Sequence, residues 1–330
     1  MQDSDYARKV QQELDTYQDR IDVHDLPEIF HYWFNRHVRP LCEEAGILGV
    51  DEYFASHLRQ SATHTGTARP RFLSLGSGNC DTEVGVAALL ERGGCRDFTL
   101  ECLEINPAML QRGRQMADER GVAGHMRFTE ADFNTWTART FYDGVMANQS
   151  LHHVSELEHL FGQVKWAMHA GARFVISDVI GRNGHQRWPE SLEIVQRFWQ
   201  ELPARSRYNR LLQRHEETYD NWDCSAEGFE GIRAQDILPL LLRDFHYEKF
   251  VAFGSAIDVF VDRAFGHHFA PSSPADRAFI DRVHQADEDG FANRTLTPTH
   301  MFGVFTREAV ATPHVARGLT PEASVRASAR

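Results

Sequence analysis

Apolar residues recur every three to four positions along residues 1–65, with charged residues between them. The spacing is clearest at residues 29–34, where five of six side chains are apolar or aromatic. This periodicity predicts helices, interrupted at Pro40 and at nearby glycines. The small and polar residues 61–70 are typical of a connector. We therefore expect an N-terminal helical extension over residues 1–65.

From residue 71 the pattern changes to short apolar runs that alternate with helical stretches. Such alternation predicts βαβ units and a parallel sheet with helices on both faces, which is a doubly wound α/β fold. The predicted strands are 71–75, 98–103, 126–130, 142–147, 173–177, 247–253 and 300–306. The predicted helices are 82–91, 107–120, 157–169 and 234–243.

Three later segments depart from this rhythm. Residues 181–235 are rich in aromatic and polar side chains, and residues 255–297 have a helical pattern. We interpret both as insertions into a core domain that spans residues 66–308. The tail 309–330 is rich in Ala, Ser, Pro and Arg, a composition that predicts flexibility.

The composition is ordinary for a globular protein, with 42% hydrophobic and 25% charged residues. The formal net charge of −12 disfavours a nucleic-acid partner, because phosphate binding needs a basic surface. Five cysteines without a C-x-x-C pair argue against a disulfide framework and a cysteine-built zinc site. The N-terminus has no apolar signal segment, and no apolar run approaches the roughly 20 residues of a membrane helix. We therefore expect a cytoplasmic protein without a membrane partner.

The turn after the first predicted strand contains Gly76, Ser77 and Gly78. Glycines at this place let the backbone approach a ligand at the carboxyl end of the strand, although such a turn can also be only a tight connection. Dinucleotide-binding turns need a further glycine where this chain has Asp81. No Gly-Lys-Ser/Thr follows, which excludes a nucleoside triphosphate P-loop.

Polar residues also end the next three predicted strands. Glu104 can accept hydrogen bonds from both hydroxyls of a ribose, or it can be a surface glutamate. Asp132 can accept a hydrogen bond from an adenine amine, or it can cap a turn. Asn148 begins a polar turn after the fourth strand.

The glycine turn and these three polar residues thus follow four successive strands. Together with the Leu-His-His run at residues 151–153, the series resembles class I S-adenosylmethionine-dependent methyltransferases of the small-molecule type. The resemblance covers residues 71–178. It implies S-adenosylmethionine as the cofactor and a Rossmann-like sheet of seven mostly parallel strands, the last of which runs antiparallel.

The resemblance also implies which residues contact the cofactor. The implied contacts are Gly76, Ser77 and Gly78 with the methionine portion, Glu104 with the ribose, Ile105 with the adenine ring, Asp132 and Phe133 with the adenine amine, and Asn148 with the methionine portion or the transferring methyl group. The family usually has an acidic residue where this chain has Ser74 and a third glycine where it has Cys80. Ser74 can still hydrogen-bond to the ammonium group of the cofactor.

The turn at residues 148–151, Asn-Gln-Ser-Leu, lacks the Asn/Asp-Pro-Pro-Tyr/Phe pattern of base-amine and glutamine methylases. It also lacks the cysteine that cytosine C5 methylases carry after a proline. In this fold both insertions should emerge at the edge of the sheet where the cofactor binds. A roof rich in aromatic residues is typical of an enclosed pocket for a small organic acceptor.

His152 and His153 follow this turn and are the candidate general bases, or they only cap and pack. Weaker candidates for substrate contact are Asp178, Tyr208, His215, Tyr219, Trp222, His267 and His268. Four histidines near one site, His152, His153, His267 and His268, raise the alternative of a metal, but none of them begins an H-x-x-x-H or H-x-E pattern, so no metal site is predicted.

The leading hypothesis is a small-molecule methyltransferase that methylates oxygen by in-line displacement. An RNA- or protein-modifying methyltransferase and a non-catalytic S-adenosylmethionine-binding protein remain as alternatives. The sequence leaves the acceptor and the oligomeric state open.

Overall fold

A computed structural model describes residues 3–17, 26–226 and 228–326 of the chain. Its strands agree closely with the predicted ones, and three of them have the predicted bounds. The strands are β1 Arg71–Leu75, β2 Thr99–Glu104, β3 Met126–Glu130, β4 Tyr142–Asn148, β5 Met168–Val179, β6 Tyr208–Asn209, β7 Arg214–His215, β8 His246–Phe253, β9 His300–Thr306 and β10 His314–Val315.

Eight of these strands form one sheet in the order β10-β8-β9-β5-β4-β1-β2-β3. Strands β1 to β5 run parallel, and β9 is antiparallel to both of its neighbours, β5 and β8. The chain winds outwards in one direction from β1 and in the other from β4, so the winding reverses between these two strands. Open sheets of this kind bind ligands outside the carboxyl ends of the strands at such a reversal. The predicted doubly wound α/β fold is confirmed, with eight strands instead of seven.

Helices cover both faces of the sheet. They are α1 Asp3–Tyr17, α2 Glu28–Trp33, α3 Arg39–Glu44, α4 Val50–Thr65, α5 Asp81–Arg92, α6 Pro107–Glu119, α7 Leu157–Ala167, α8 Pro189–Trp199, α9 Ala234–Asp244, α10 Asp258–Val261, α11 Pro274–Ala292 and α12 Pro321–Ser324. Successive residues of β1 enter different cores: Phe72 packs with α4 and α5, and Leu73 packs with α7 and α9. Continuous apolar strands are therefore required, because both faces are buried.

The last helix of the N-terminal extension is part of the core. Helix α4 lies against the sheet, where the buried hydroxyl of Tyr53 donates hydrogen bonds to the carbonyl oxygens of Ile176 and Gly303. The predicted connector at residues 61–70 begins later than expected, since residues up to Thr65 belong to this helix. The fully buried hydroxyl of Ser61 in α4 donates to the carbonyl of Asp143 on β4. This contact explains why a small polar residue lies at position 61.

The two predicted insertions contain α8 with the β6–β7 pair, and α10 with α11. The tail differs from the expectation of flexibility. Its strand β10 pairs with β8, and Leu319 and Pro321 are buried beyond it. Apolar contacts with the edge of the sheet therefore fix a segment whose composition alone suggests disorder. No helix within the described residues is long and apolar enough to cross a membrane.

Candidate active site

The glycine turn lies at the carboxyl end of β1, between that strand and α5. Gly76 and Gly78 have φ of +66° and +54°, in the left-handed region that favours glycine. A β-carbon on Gly76 would lie 2.6 Å from Cβ of Ser150 and 3.2 Å from a ring carbon of Phe133. The turn therefore needs glycine for its conformation and for the close approach of its neighbours.

Glu104, at the end of β2, holds this turn in place. Its carboxylate accepts hydrogen bonds of 2.9 Å from the backbone amides of Gly78 and Asn106. Burial raises the pKa of Glu104, and these two amides oppose that effect. The carboxylate is thus fixed beside the glycine turn, in the place predicted for a residue that binds ribose. Ile105, predicted to pack on adenine, is half-buried next to it.

Asp132 and Phe133 follow β3 and lie on the same edge of the sheet. The backbone and side-chain amides of Asn134 donate to the Asp132 carboxylate at 2.9 and 3.2 Å. The hydroxyl of Tyr6 on α1 donates to its other oxygen. The ring of Phe133 lies next to the glycine turn. The structure thus places Asp132 and Phe133 on the same edge of the sheet as Glu104, as the sequence predicts.

Asn148 ends β4, and its side-chain amide donates to the hydroxyl of Thr82 on α5 at 3.1 Å. The next residue, Gln149, has φ of +53°, so the chain turns sharply away from the strand. Asn148 therefore faces the first turn of the helix that follows the glycine loop.

The two departures from the family pattern have different structural consequences. Ser74 is fully buried, and its hydroxyl donates at 2.6 Å to Glu83 on α5. The predicted contact of Ser74 with the cofactor is therefore not supported, because this bond directs the side chain to the helix. Burial raises the pKa of Glu83 to about 7. Cys80 has φ of +61°, which explains why glycine is usual at that position.

Asp178, at the end of β5, organises the turn that carries the two predicted histidines. Its buried carboxylate accepts from the backbone amides of Ser150 and Leu151 at 2.9 and 2.7 Å. It also lies 2.6 Å from Nδ1 of His152. Asp178 was expected to contact substrate, but these bonds occupy its oxygens and give it a positioning role.

His152 and His153 lie in a cluster with two residues that the sequence did not indicate. Nε2 of His185 is 2.6 Å from Oε1 of Glu230, and Nε2 of His152 is 3.5 Å from the same oxygen. Nε2 of His153 is 3.5 Å from Oε2 of Glu230, and its Nδ1 is 3.2 Å from Glu13. His185 and Glu230 both belong to the first insertion. Each lies next to a glycine in the sequence, and this was the only sequence feature that could have indicated them.

Charge in this cluster is balanced between imidazoles and carboxylates. Burial lowers the pKa of His152, but Asp178 and Glu230 outweigh it and raise that pKa to about 10. Burial raises the pKa of Glu230, but the surrounding histidines lower it well below its ordinary value. Positive charge is therefore favoured among these carboxylates.

Helix α1 lies over this edge of the sheet. The buried ammonium group of Lys9 donates to the carbonyls of Ser225 and Gly228 in the first insertion, both at 2.9 Å. The side chain of Asn106 donates to the carbonyl of Leu14. The helix thus joins the first insertion to the end of β2.

The remaining predicted substrate residues lie elsewhere. The rings of Tyr208 and His215 pack together, and His268 hydrogen-bonds to the carbonyl of Tyr208. Tyr219 packs on other aromatic residues, Trp222 is 40% exposed, and His267 lies in a short turn beside His268. Within the described part of the chain, no hydrogen bond, ion pair or ring contact connects any of these residues to His152 or His153. The aromatic residues of the insertions pack with each other. Their abundance in the sequence therefore reflects packing of the insertions and is not evidence for the lining of a substrate pocket.

One family model matches part of the chain. Residues 69–225 match the sequence model of a family described as a methyltransferase domain. No curated protein matches the chain.

Several solved structures are similar to the chain. An O-methyltransferase from a trans-AT PKS multienzyme of Brevibacillus brevis, solved with S-adenosyl-L-homocysteine, is 10% identical, with 77% of this chain and 71% of that one covered and a TM-score of 0.42. A geranyl diphosphate methyltransferase solved with GPP and sinefungin is 15% identical, with 77% and 78% covered and a TM-score of 0.44. The geranyl diphosphate C-methyltransferase of Streptomyces coelicolor A3(2), solved with Mg²⁺, geranyl diphosphate and S-adenosyl-L-homocysteine, is 14% identical, with 77% of each chain covered and a TM-score of 0.40. At these values the similarities carry no argument about the activity of this chain.

Proposed function

We propose that this chain, whose residues 69–225 match a methyltransferase domain and whose sheet is doubly wound, is a class I S-adenosylmethionine-dependent enzyme that transfers a methyl group to an oxygen atom of a small organic acceptor. The observation that carries the proposal is the position of Glu104. Its buried carboxylate is fixed beside the glycine turn that follows β1, and β1 borders the reversal in the winding of the sheet.

The residues at this edge suit the methyl donor. Glu104 uses its two amide contacts to keep the glycine turn closed, and a carboxylate has further lone pairs that can accept from ribose hydroxyls. Asp132, one strand further on, accepts from Tyr6 and Asn134, and the remaining lone pair of its outer oxygen can accept from an adenine amine. The backbone of Gly76 and Gly78 can approach the methionine portion closely, because neither residue has a side chain.

The closure of the site supports a small acceptor. Helix α1 and the first insertion meet above the carboxyl edge of the sheet through the Lys9 contacts. The histidine turn beneath them is buried, with His152 only 5% exposed. A folded protein or a structured RNA would need a wide opening at this place, whereas a small molecule needs only a narrow entry.

The bound donor supplies an electrophilic methyl group on a sulfonium. The acceptor oxygen forms a bond to the methyl carbon as the carbon–sulfur bond breaks, and sulfur keeps the electron pair. The contribution of the chain is alignment and exclusion of water, which can supply a large part of the acceleration.

An oxygen acceptor is supported by the polar groups beside the turn. A hydroxyl is a weak nucleophile until its proton is removed or its developing charge is stabilised. We assign the stabilisation of the developing charge to His152 and His153, since the carboxylates beside them raise both pKa values. Asp178 fixes the ring of His152, so that its Nε2 points towards Glu230.

A screen of acceptors tests this proposal, with the release of S-adenosylhomocysteine as the readout. We expect turnover with one class of small hydroxyl or phenol compounds. Turnover that requires RNA or protein instead would replace the proposal with a macromolecule-modifying activity. Binding of the donor without turnover across all acceptors would favour a non-catalytic binding protein.

A further inference from the structure

Three side chains from three separate segments converge beside the proposed acceptor site. They are His152 after β4, His185 after β5, and Glu230 before α9. One donor atom from each can be chosen so that all three lie within 4.8 Å of one another. Two imidazoles and one carboxylate form a donor set typical of divalent transition metals.

The carboxylate of Asp178 orients the first of these imidazoles. It lies 2.6 Å from Nδ1 of His152, and the backbone amide of Val179 donates to the same carboxylate oxygen at 2.7 Å. The other ring nitrogen, Nε2, is therefore directed towards Glu230. A histidine that binds a metal is usually held in this way by a carboxylate behind it, which fixes the ring and makes the coordinating nitrogen more basic.

The backbone is adapted to bring the other two residues together. His185 has φ of +54°, a conformation that side chains other than glycine rarely adopt. The amide of Gly184 donates to the carbonyl of Gly231 at 2.9 Å. A β-carbon on Gly231 would lie only 3.0 Å from the backbone nitrogen of His185. The glycines next to His185 and Glu230 thus permit the close approach, and the unusual backbone of His185 is typical of functional sites.

Hydrogen bonding alone explains this arrangement less well. Glu230 is shared by three imidazoles, of which only His185 is at hydrogen-bond distance, while His152 and His153 are both 3.5 Å away. Two ligands that each lie about 2 Å from one ion can be 3.5 Å apart, so the separation of His152 from Glu230 is compatible with a shared ion. The carboxylates of Asp178 and Glu13 also lie beside the imidazoles of His152 and His153, so positive charge, whether of a proton or of an ion, is stabilised here.

We propose that His152, His185 and Glu230 bind one divalent transition-metal ion, which coordinates the oxygen of the methyl acceptor. This inference rests on the proposed function, since it names the group that activates that oxygen. The ion lowers the pKa of the coordinated hydroxyl, which releases its proton to solvent water, and the resulting oxygen anion attacks the methyl carbon. The carbon–sulfur bond breaks with its electron pair on sulfur, and no oxidant or reductant is needed.

A cobalt titration tests the site directly. The full chain is stripped with EDTA, dialysed and titrated with Co²⁺, and the visible absorption of the bound ion is recorded. We expect saturation at one ion per chain. His185→Ala and Glu230→Gln should each weaken binding by about tenfold or more, because each removes one ligand. The exposed residue His246 supplies the control, and His246→Ala should bind Co²⁺ like the unchanged protein.

Calorimetry with S-adenosylhomocysteine, together with the melting temperature, shows whether each variant is folded. Retained binding of this ligand with lost Co²⁺ binding supports the metal site. Equal Co²⁺ binding by all variants, or none by the unchanged protein, overturns it and leaves methyl transfer intact. If the unchanged protein does not bind S-adenosylhomocysteine, the proposed function fails, and the cobalt result still decides the metal site.

Discussion

Replacement of Glu104 by glutamine probes the residue on which the methyl-donor site depends. The carboxylate is 8% exposed and receives two backbone hydrogen bonds, from Gly78 and Asn106. Glutamine keeps the shape and one acceptor oxygen but loses the charge and places an NH₂ group beside donors. A hydrogen bond to a charged group contributes about 1.5–3 kcal/mol. Loss of one such bond to the ribose should therefore weaken binding roughly tenfold to 150-fold.

Calorimetric titration with S-adenosylhomocysteine measures this effect. Glu130 is the matched control, because it lies opposite Glu104 at the end of the adjacent strand β3 but is exposed. Glu130→Gln should leave the dissociation constant unchanged. If Glu104→Gln binds S-adenosylhomocysteine as tightly as the unchanged protein, Glu104 does not bind the donor, and the assignment of the crevice loses its main support.

Three further predictions concern the scaffold around the site. The pKa of Glu83 is about 7 in the folded protein against an ordinary value of 4.5. The protonated side chain therefore stabilises the fold fully below pH 4.5, and this stabilisation is lost as the pH rises through 7. Between pH 5 and 8 the free energy of unfolding should fall by up to about 3 kcal/mol more in the unchanged protein than in Glu83→Gln. The melting temperature of the variant should therefore depend less on pH, and an equal dependence in both proteins would contradict this prediction. Gly76→Ala should destabilise the fold by about 1–3 kcal/mol in urea unfolding and impair S-adenosylhomocysteine binding, whereas Gly162→Ala, in open space on α7, should do neither. Tyr53→Phe removes two buried hydrogen bonds to carbonyls and should cost about 1–3 kcal/mol; a loss below about 0.5 kcal/mol would show that α4 is not anchored there.

The sheet could be predicted closely because buried parallel strands are short apolar runs between glycine and polar turns. The bounds of β1, β3 and β9 agree with the prediction for this reason. Strand β10 could not be predicted, since two residues in a polar tail become a strand only through their pairing with β8. The position of α4 against the sheet depends on contacts such as those of Tyr53, which periodicity does not reveal.

Within the candidate site, residues at strand ends could be predicted because the carboxyl ends of parallel strands meet at one edge. The direction of each side chain could not be predicted, because it depends on contacts with other elements. Ser74 bonds to Glu83 on the helix, and Asp178 bonds to the histidine turn. His185 and Glu230 were missed because they lie 45 residues apart in an insertion, and only the fold brings them together.

The central claim is that the crevice above β1 and β4 binds the methyl donor. Calorimetric titration of the full chain with S-adenosylmethionine and with S-adenosylhomocysteine tests it most directly. We expect one site per chain for each ligand, with the product competing against the donor for that site. No heat of binding for either ligand up to about 1 mM, corresponding to less than about 4 kcal/mol of binding free energy, would contradict the account.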